Sequence, residues 1–423
     1  MKNICNPKLF SLTLFLSLFS LGQLQRIQLN QQIAFYLHDV FLFLWLIWSI
    51  PAFRNEWKNL VLEKYYYFIS QKRTWTTLVL VIFIWHVIIL IVNLFSGIAT
   101  ISNLLYLARL GTYLASAISL SFIIKTGQDR RRLRIALVVS AMVVTFFGLI
   151  QYWFLPDTRV LAILGWDDHY NRLIGTFFDP AFTGLIIVMG FFFWQSLEKV
   201  ITEKFGQLFF LFSPIIFIIA ILLTYSRASY LAFAVGLSVY FLISMMKNIG
   251  TKIINYRNYL KIIIYLLVFL LALPFLPKPQ GEGVQLARTS TIVSRWQNTS
   301  QYLQHISPLQ WFVGQGIFGF QKTSSDTSQK QTSNESQPAS MAKHAAFPDN
   351  LLVLLISTFG LPLAIIIALY AQKKFSYLLT GDEWLLATIY AVLTHSQFSN
   401  SLLQPFVLIF LMMGIVSSRG KAG

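Results

Sequence analysis

Charge is scarce in this sequence. Asp, Glu, Lys and Arg make up 12% of its 423 residues, about half the share usual in soluble globular domains, which excludes a chain built mainly around a water-facing surface. Acids are scarcer still, 16 against 33 bases, for a net charge of +17. The one cysteine, Cys5, rules out an internal disulfide. No Walker loop, dinucleotide fingerprint or serine-nucleophile elbow occurs, so no signature of nucleotide use is present. His38, His86, His169, His305 and His395 are scattered, and none forms a metal-ligand spacing, so no metal and no other cofactor is expected. Asp167-Asp168-His169 reads as a solvated loop tip, and His38-Asp39 as a headgroup contact at the start of a span.

What is abundant is apolar sequence. Hydrophobic residues make up 56% of the chain, in runs close to the roughly 20 residues that carry a helix across a bilayer. Lipid satisfies no backbone polar group, and no barrel-like alternation is present, so the expected fold is all-α and polytopic. Twelve transmembrane helices are expected near 9–24, 33–50, 74–95, 101–124, 135–155, 173–197, 207–223, 228–246, 260–277, 348–370, 384–398 and 402–417. With both termini inside, 22 of the 33 Lys and Arg residues fall in cytoplasmic segments, five of them from Arg54 to Arg73 and five from Lys125 to Arg134. That is the positive-inside pattern, with membrane lipids rather than nucleic acid as the partner of the basic residues.

Residues 1–277 thus hold helices 1–9 and residues 348–423 hold helices 10–12, with a large outer loop, 278–347, between helices 9 and 10. Its first half repeats apolar residues at Ile292, Trp296, Thr299, Leu303 and Ile306, which predicts an amphipathic helix over 288–312 lying on the bundle's outer surface. The stretch 321–343 is rich in Ser, Thr and Gln with almost no apolar content, and is expected to be a disordered excursion.

Four places put polar groups at the outer interface. Asp179 before Pro180 is a helix start, so the sixth helix is expected to begin at Pro180 and leave Gly175 to Phe178 irregular. A positive helix end beside Arg172 favours an anion, against the plainer reading of a snorkelling arginine beside an ordinary cap. In Thr224-Tyr225-Ser226-Arg227, a tight turn holds Arg227 at the bilayer edge, where a phosphate suits a guanidinium and Ser226 can donate as well; a snorkelling turn arginine is the alternative. The third place is Arg295-Trp296 with the glycine turn that contains Gly314 and Gly316. The fourth runs from His344 to Asn350, where Asp349 or His344 could act as general base, or Asp349 could simply cap the next helix.

Taken in order, these pieces resemble the O-antigen ligase and O-antigen polymerase family of membrane glycosyltransferases. The resemblance covers roughly residues 135–375 and rests on R-L-I-G-T-F-F-D-P from Arg172, Y-S-R-A-S from Tyr225, S-R-W-Q from Ser294, V-G-Q-G-I-F-G from Val313 and P-D-N-L-L-V-L-L-I-S-T-F-G from Pro348. It implies transfer, on the periplasmic face of a bacterial inner membrane, of a glycan from a polyprenyl (undecaprenyl) diphosphate carrier to a glycan or lipid acceptor, without metal. On that resemblance Arg172, Arg227, Arg295 and Ser226 hold the diphosphate, Asp349 or His344 is the base, and Asp179, Asn350, Gly314 and Gly316 support them. Ligases carry His immediately before the Asn of the last motif; Asp349 stands there instead, which is closer to the polymerase-type members. The rivals are a lipid-linked oligosaccharide flippase or other transporter, disfavoured because span interiors hold little charge beyond Arg109 and His86, and a non-catalytic scaffold.

Overall fold

The computed structural model describes residues 7–29, 33–59, 61–62, 73–96, 101–164, 166–197, 204–251, 256–277, 282–286, 289–304, 306–316, 350–378 and 382–418. Apolar runs that must satisfy their own backbone become helices: α1 (Pro7–Ser20), α2 (Leu37–Ala52), α3 (Arg73–Phe95), α4 (Ile101–Ile123), α5 (Gly127–Phe154), α6 (Pro180–Ser196), α7 (Lys204–Leu223), α8 (Arg227–Thr251), α9 (Tyr256–Ala272), α10 (Ser290–Gln304), α11 (Pro308–Val313), α12 (Leu351–Phe359), α13 (Leu361–Leu378), α14 (Glu383–Ser399) and α15 (Pro405–Ser418). The sheet among the described residues is one short hairpin, β1 (Arg26–Gln28) with β2 (Ala34–Tyr36).

Segments Leu104–Ile123, Gly127–Phe154 and Arg227–Met246 are each long and apolar enough to cross a membrane, and α12 with the start of α13 makes a fourth as a pair bent by 120°. Several other expected spans coincide with apolar helices of 10–17 residues. A mostly helical structure with several long apolar helices is therefore observed, whereas the number twelve rests on the sequence.

The core runs along α5, α6, α8, α14 and α15, with α14 packed along α8. Phe191, Phe192, Phe193, Phe217, Phe233, Phe406 and Phe410 are fully buried. Rings this large fit between close helices because the facing positions are small. A Cβ on Gly236 would lie 2.4 Å from the Phe192 ring, and one on Gly414 would lie 2.2 Å from that of Phe193.

At one end of the bundle a polar cluster fastens the amino-terminal elements to the core. The Asp39 carboxylate lies 2.9 Å from Arg109, and Tyr113 donates a hydrogen bond to it. Arg109 also donates to the Ala34 carbonyl at 2.8 Å, and its guanidinium lies over the Tyr36 ring. His38 is fully buried, with Nε2 2.8 Å from the Tyr113 hydroxyl and its ring 4.9 Å from that of Phe406. This corrects the headgroup reading of His38-Asp39. The two side chains point into the protein because Arg109, which the sequence leaves as a lone charge in a span, requires an anion there.

Removal of one partner strands the other. Asp39→Ala is expected to destabilise the fold by about 3 kcal/mol, measured as a fall in the thermal unfolding midpoint in detergent, with Asp39→Ala/Arg109→Leu closer to wild type than Asp39→Ala alone.

Candidate active site

The segment entering α6 is irregular, as Asp179-Pro180 predicts. Gly175–Phe177 form one 3-10 turn, Phe178 has φ +56°, and α6 starts at Pro180 with the Asp179 carboxylate accepting from the amides of Ala181 and Phe182 at 2.7 and 2.8 Å. A non-helical stretch inside an apolar bundle needs partners for its amides. Gln151, at the end of α5, supplies them: its Oε1 accepts from Ile174 N at 2.9 Å and Gly175 N at 3.3 Å, and its Nε2 donates to the Arg172 carbonyl at 3.2 Å. The amide of Leu173 donates to the Leu223 carbonyl at the end of α7, at 2.9 Å. Arg172 is thereby pinned between the ends of two helices.

Its side chain is buried. Nε donates to the Thr224 carbonyl at 3.1 Å and a terminal nitrogen donates to that of Tyr225 at 3.4 Å. These carbonyls belong to the α7–α8 turn, in which Tyr225 has φ +50° and Ser226 caps α8 by accepting from Ser229 N at 3.3 Å. Arg227 is the first residue of α8, one residue from that cap. Arg172 and Arg227, 55 residues apart in sequence, thus meet at one turn.

Residues 282–286 cross above both arginines. A Cβ on Gly283 would lie 3.0 Å from Cδ of Arg172, and Arg227 donates to the Leu286 carbonyl at 3.4 Å. Arg295 is exposed on α10 and close enough to Arg227 for the two charges to oppose each other. Three of the four residues expected to hold phosphate are therefore arginines gathered at one end of the bundle, and the fourth, Ser226, sits in the turn between the first two.

Behind the turn lies a buried polar chain absent from the sequence expectations. The Ser229 hydroxyl donates to Ser226 Oγ at 2.9 Å and lies 3.3 Å from His395 Nε2, while His395 Nδ1 lies 2.5 Å from Ser401 Oγ and 3.3 Å from Ser399 Oγ. Ser229, His395 and Ser401 are fully buried. The signal available in the sequence was the serine-rich run around His395, with Ser396, Ser399 and Ser401 in an otherwise apolar segment.

Asn350 caps α12, accepting from Leu352 N and Val353 N at 2.9 and 3.1 Å. This is the capping task that the sequence reading offered to Asp349. The Asn350 amide also donates to the Gln397 carbonyl at 3.2 Å, two residues beyond His395. The amino-terminal ends of α6, α8 and α12 therefore gather near the end of α14, and each such end carries partial positive charge. Asp349 and His344 lie outside the described residues.

Gly314 and Gly316 are elsewhere, nine residues of α12 away, about 13 Å along its axis. The turn at 314–316 docks on the break between α12 and α13: Gln315 N donates to the Ser357 carbonyl at 2.7 Å and Gly316 N to that of Thr358 at 3.1 Å. Gly314 and Gly360 both have φ +78°, and a Cβ on Gly314 would sit 2.4 Å from the Thr358 oxygen. Their support is close backbone packing, not contact with the arginines. The helical part of the loop forms α10 and α11, interrupted where Ser307 caps Pro308. Along the predicted stripe Ile292 and Trp296 are exposed, Thr299 and Leu303 are half-buried and Ile306 is buried.

Asp167, His169 and Asp179 bring one ligand atom each to within 4.8 Å of one another, a set that could hold a divalent cation. Spacing alone did not reveal it because Asp179 belongs to the next element. Burial first, and then the nearby Arg172 charge, push the His169 pKa below the usual histidine range, so the imidazole is neutral at neutral pH.

Residues 212–368 match a family model described as O-antigen ligase, a stretch that includes Ser226, Arg227, Arg295, Gly314, Gly316 and Asn350. No curated protein and no solved structure matches the chain.

The irregular segment's dependence on Gln151 is directly testable. Gln151→Leu strands two buried amides and is expected to destabilise the protein by about 2 kcal/mol, seen as a lower thermal midpoint in detergent, whereas Gln151→Glu keeps the acceptor and falls less.

Proposed function

We propose, on the match of residues 212–368 to the O-antigen ligase family model, that the chain transfers a glycan from a polyprenyl diphosphate carrier to an acceptor hydroxyl. One observation carries the reading: Arg172 and Arg227 meet at the α7–α8 turn, beside the starts of α6 and α8, with Arg295 near enough to add its charge. Guanidiniums match phosphate geometry and keep their charge at any relevant pH.

The chemistry follows from charge. The acceptor oxygen attacks the anomeric carbon and the bond from that carbon to the phosphate oxygen breaks. The polyprenyl diphosphate leaves with the electron pair. Negative charge grows on the leaving oxygen, and Arg172, Arg227 and Arg295 stabilise it as the bond breaks. Ser226 adds a hydroxyl donor. The acceptor's proton passes to Asp349 or His344, and Asn350, which follows Asp349 in the chain, caps the start of α12. The arginines supply the positive charge, so the reaction as proposed needs no metal or other cofactor.

The positive-inside distribution of the basic segments supports a reading in which this end of the bundle faces the outer side of a bacterial inner membrane, with both termini cytoplasmic and twelve crossings. Acid in place of His immediately before Asn350 supports a second reading within the family, a surface polysaccharide polymerase, in which the acceptor is itself a growing glycan. A flippase is less well supported. The Arg109 charge is matched by Asp39, and the unusual arginines lie at helix ends rather than at mid-span.

Purified protein in liposomes, given lipid-linked glycan and acceptor in EDTA buffer, is expected to show transfer, and Arg172→Ala or Arg227→Ala to lower kcat/KM at least a hundredfold, about 2.7 kcal/mol. Full activity of either variant at normal protein level would remove the diphosphate assignment. In the same assay, Asp349→Asn is expected to lower kcat about a hundredfold or more with donor KM little changed, and His344→Ala to have little effect; the reverse pattern moves the base to His344.

A further inference from the structure

The buried chain behind the α7–α8 turn has a direction. Ser229 carries one hydroxyl hydrogen, and it is given to Ser226 Oγ at 2.9 Å, the nearer of its two acceptors; the Ala181 carbonyl lies at 3.2 Å. That hydrogen is then not available to His395, 3.3 Å away on the other side. For Ser229 and His395 to bond, the hydrogen must come from His395 Nε2. A neutral imidazole protonated at Nε2 has Nδ1 as its acceptor. Its neighbours at Nδ1 are the hydroxyls of Ser401 at 2.5 Å and Ser399 at 3.3 Å, both able to donate. With the Ala181 carbonyl as a further acceptor in reach of His395, every member of the chain points the same way: Ser401 to His395, His395 to Ser229, Ser229 to Ser226.

The chain ends at Ser226 Oγ, which already accepts twice, from Ser229 Oγ and from Ser229 N at 3.3 Å. Its own hydrogen has no acceptor among the described residues, and it sits in the turn between Arg172 and Arg227. We propose that His395 is a positioning residue, and that through Ser229 it fixes Ser226 as an obligate hydrogen-bond donor toward the phosphate oxygens of the donor. The inference rests on the diphosphate reading above. A lone serine at a helix start rotates freely between donating and accepting; this one has its acceptor sites filled from behind. The arrangement favours an anion and disfavours a ligand that offers a donor, because the latter would meet hydrogen against hydrogen. His395 itself never touches the donor, since it is fully buried one serine deeper.

The test uses side chains that mimic one imidazole nitrogen at a time. A Gln amide nitrogen falls where Nε2 lies and keeps the donor to Ser229, whereas an Asn amide nitrogen falls where Nδ1 lies and loses it. With the full-length protein in liposomes, the readouts are donor KM, kcat and inhibition by a polyprenyl diphosphate. His395→Asn and Ser226→Ala are each expected to lower kcat/KM and weaken inhibition about ten- to hundredfold. His395→Gln should stay within about threefold of wild type. The double variant His395→Asn/Ser226→Ala should be no worse than Ser226→Ala, because both break one chain. Ser229→Ala interrupts the same chain without altering the imidazole, and provides the result if His395→Asn does not accumulate.

Equal damage from Gln and Asn at 395, or additive losses in the double variant, would reduce His395 to a packing residue. Wild-type behaviour of both Ser229→Ala and His395→Asn would also overturn the inference, while Arg172→Ala and Arg227→Ala still report on the wider reading. Failure of a polyprenyl diphosphate to bind the wild-type protein would instead overturn the diphosphate reading, and this inference with it.

Discussion

The rest of the structure depends on how the backbone is satisfied where helices stop inside an apolar bundle. Lipid and phenylalanine rings offer nothing to an amide or a carbonyl, so each helix end must be closed by protein. At one end of this bundle the closures are explicit: Asp179 on α6, Ser226 on α8, Asn350 on α12, Gln151 on the irregular stretch before α6, and Arg172 on the carbonyls of the α7–α8 turn. Polar side chains accumulate there because the backbone requires them.

The same requirement concentrates chemistry. Helix starts carry partial positive charge and leave amide donors, and the side chains that close them are short acids, amides and hydroxyls. Once arginines join them, the end of the bundle can bind a multiply charged anion and still remain folded. Structural and proposed chemical roles overlap most at Arg172, whose guanidinium ties the loop to the α7–α8 turn and is proposed above to meet the diphosphate. Replacing it removes both, whereas Arg227, the first residue of α8, does not hold the irregular stretch before α6.

How much of this was legible in the sequence follows from range. Local grammar carried far: Asp-Pro marked the start of α6, a run of four polar residues marked the α7–α8 turn, and apolar run lengths located most helices, although α5 begins at Gly127 rather than near 135 and the expected span 348–370 is two helices bent at Gly360. Pairings between distant segments were not legible. Arg109 read as a lone charge until Asp39, 70 residues earlier, came beside it. Gln151 carries no signal in the sequence, and its work appears only once the chain returns at Ile174. His395 is the clearest case. A single histidine in an apolar segment is most often a satisfied core residue, and its partner Ser229 is 166 positions away. The stripe of α10 was legible only as a pattern: periodicity does not say what covers each position, and burial grades from exposed Ile292 and Trp296 to buried Ile306.

Rigidity at this end bears on what the bundle is suited to do. Alternating access needs two packings of similar energy around a central site, and mobile or interrupted helices to switch between them. The chain does have an interrupted helix, bent by 120° at Gly360, but the break is locked. The turn at 314–316 binds two of its carbonyls, and neither Gly314 nor Gly360 could carry a side chain without displacing backbone. Asn350 ties the start of α12 to α14, and the Ser229–His395 contact ties α8 to α14. A site that holds a leaving diphosphate in line with an acceptor benefits from such fixed geometry, because binding then costs little reorganisation. The break in α12–α13 is accordingly better explained as a way of presenting the helix start at Asn350 to the end of α14 than as a hinge. An unbroken helix continuing the direction of α13 would carry Asn350 away from Gln397 and leave the end of α14 without its cap partner.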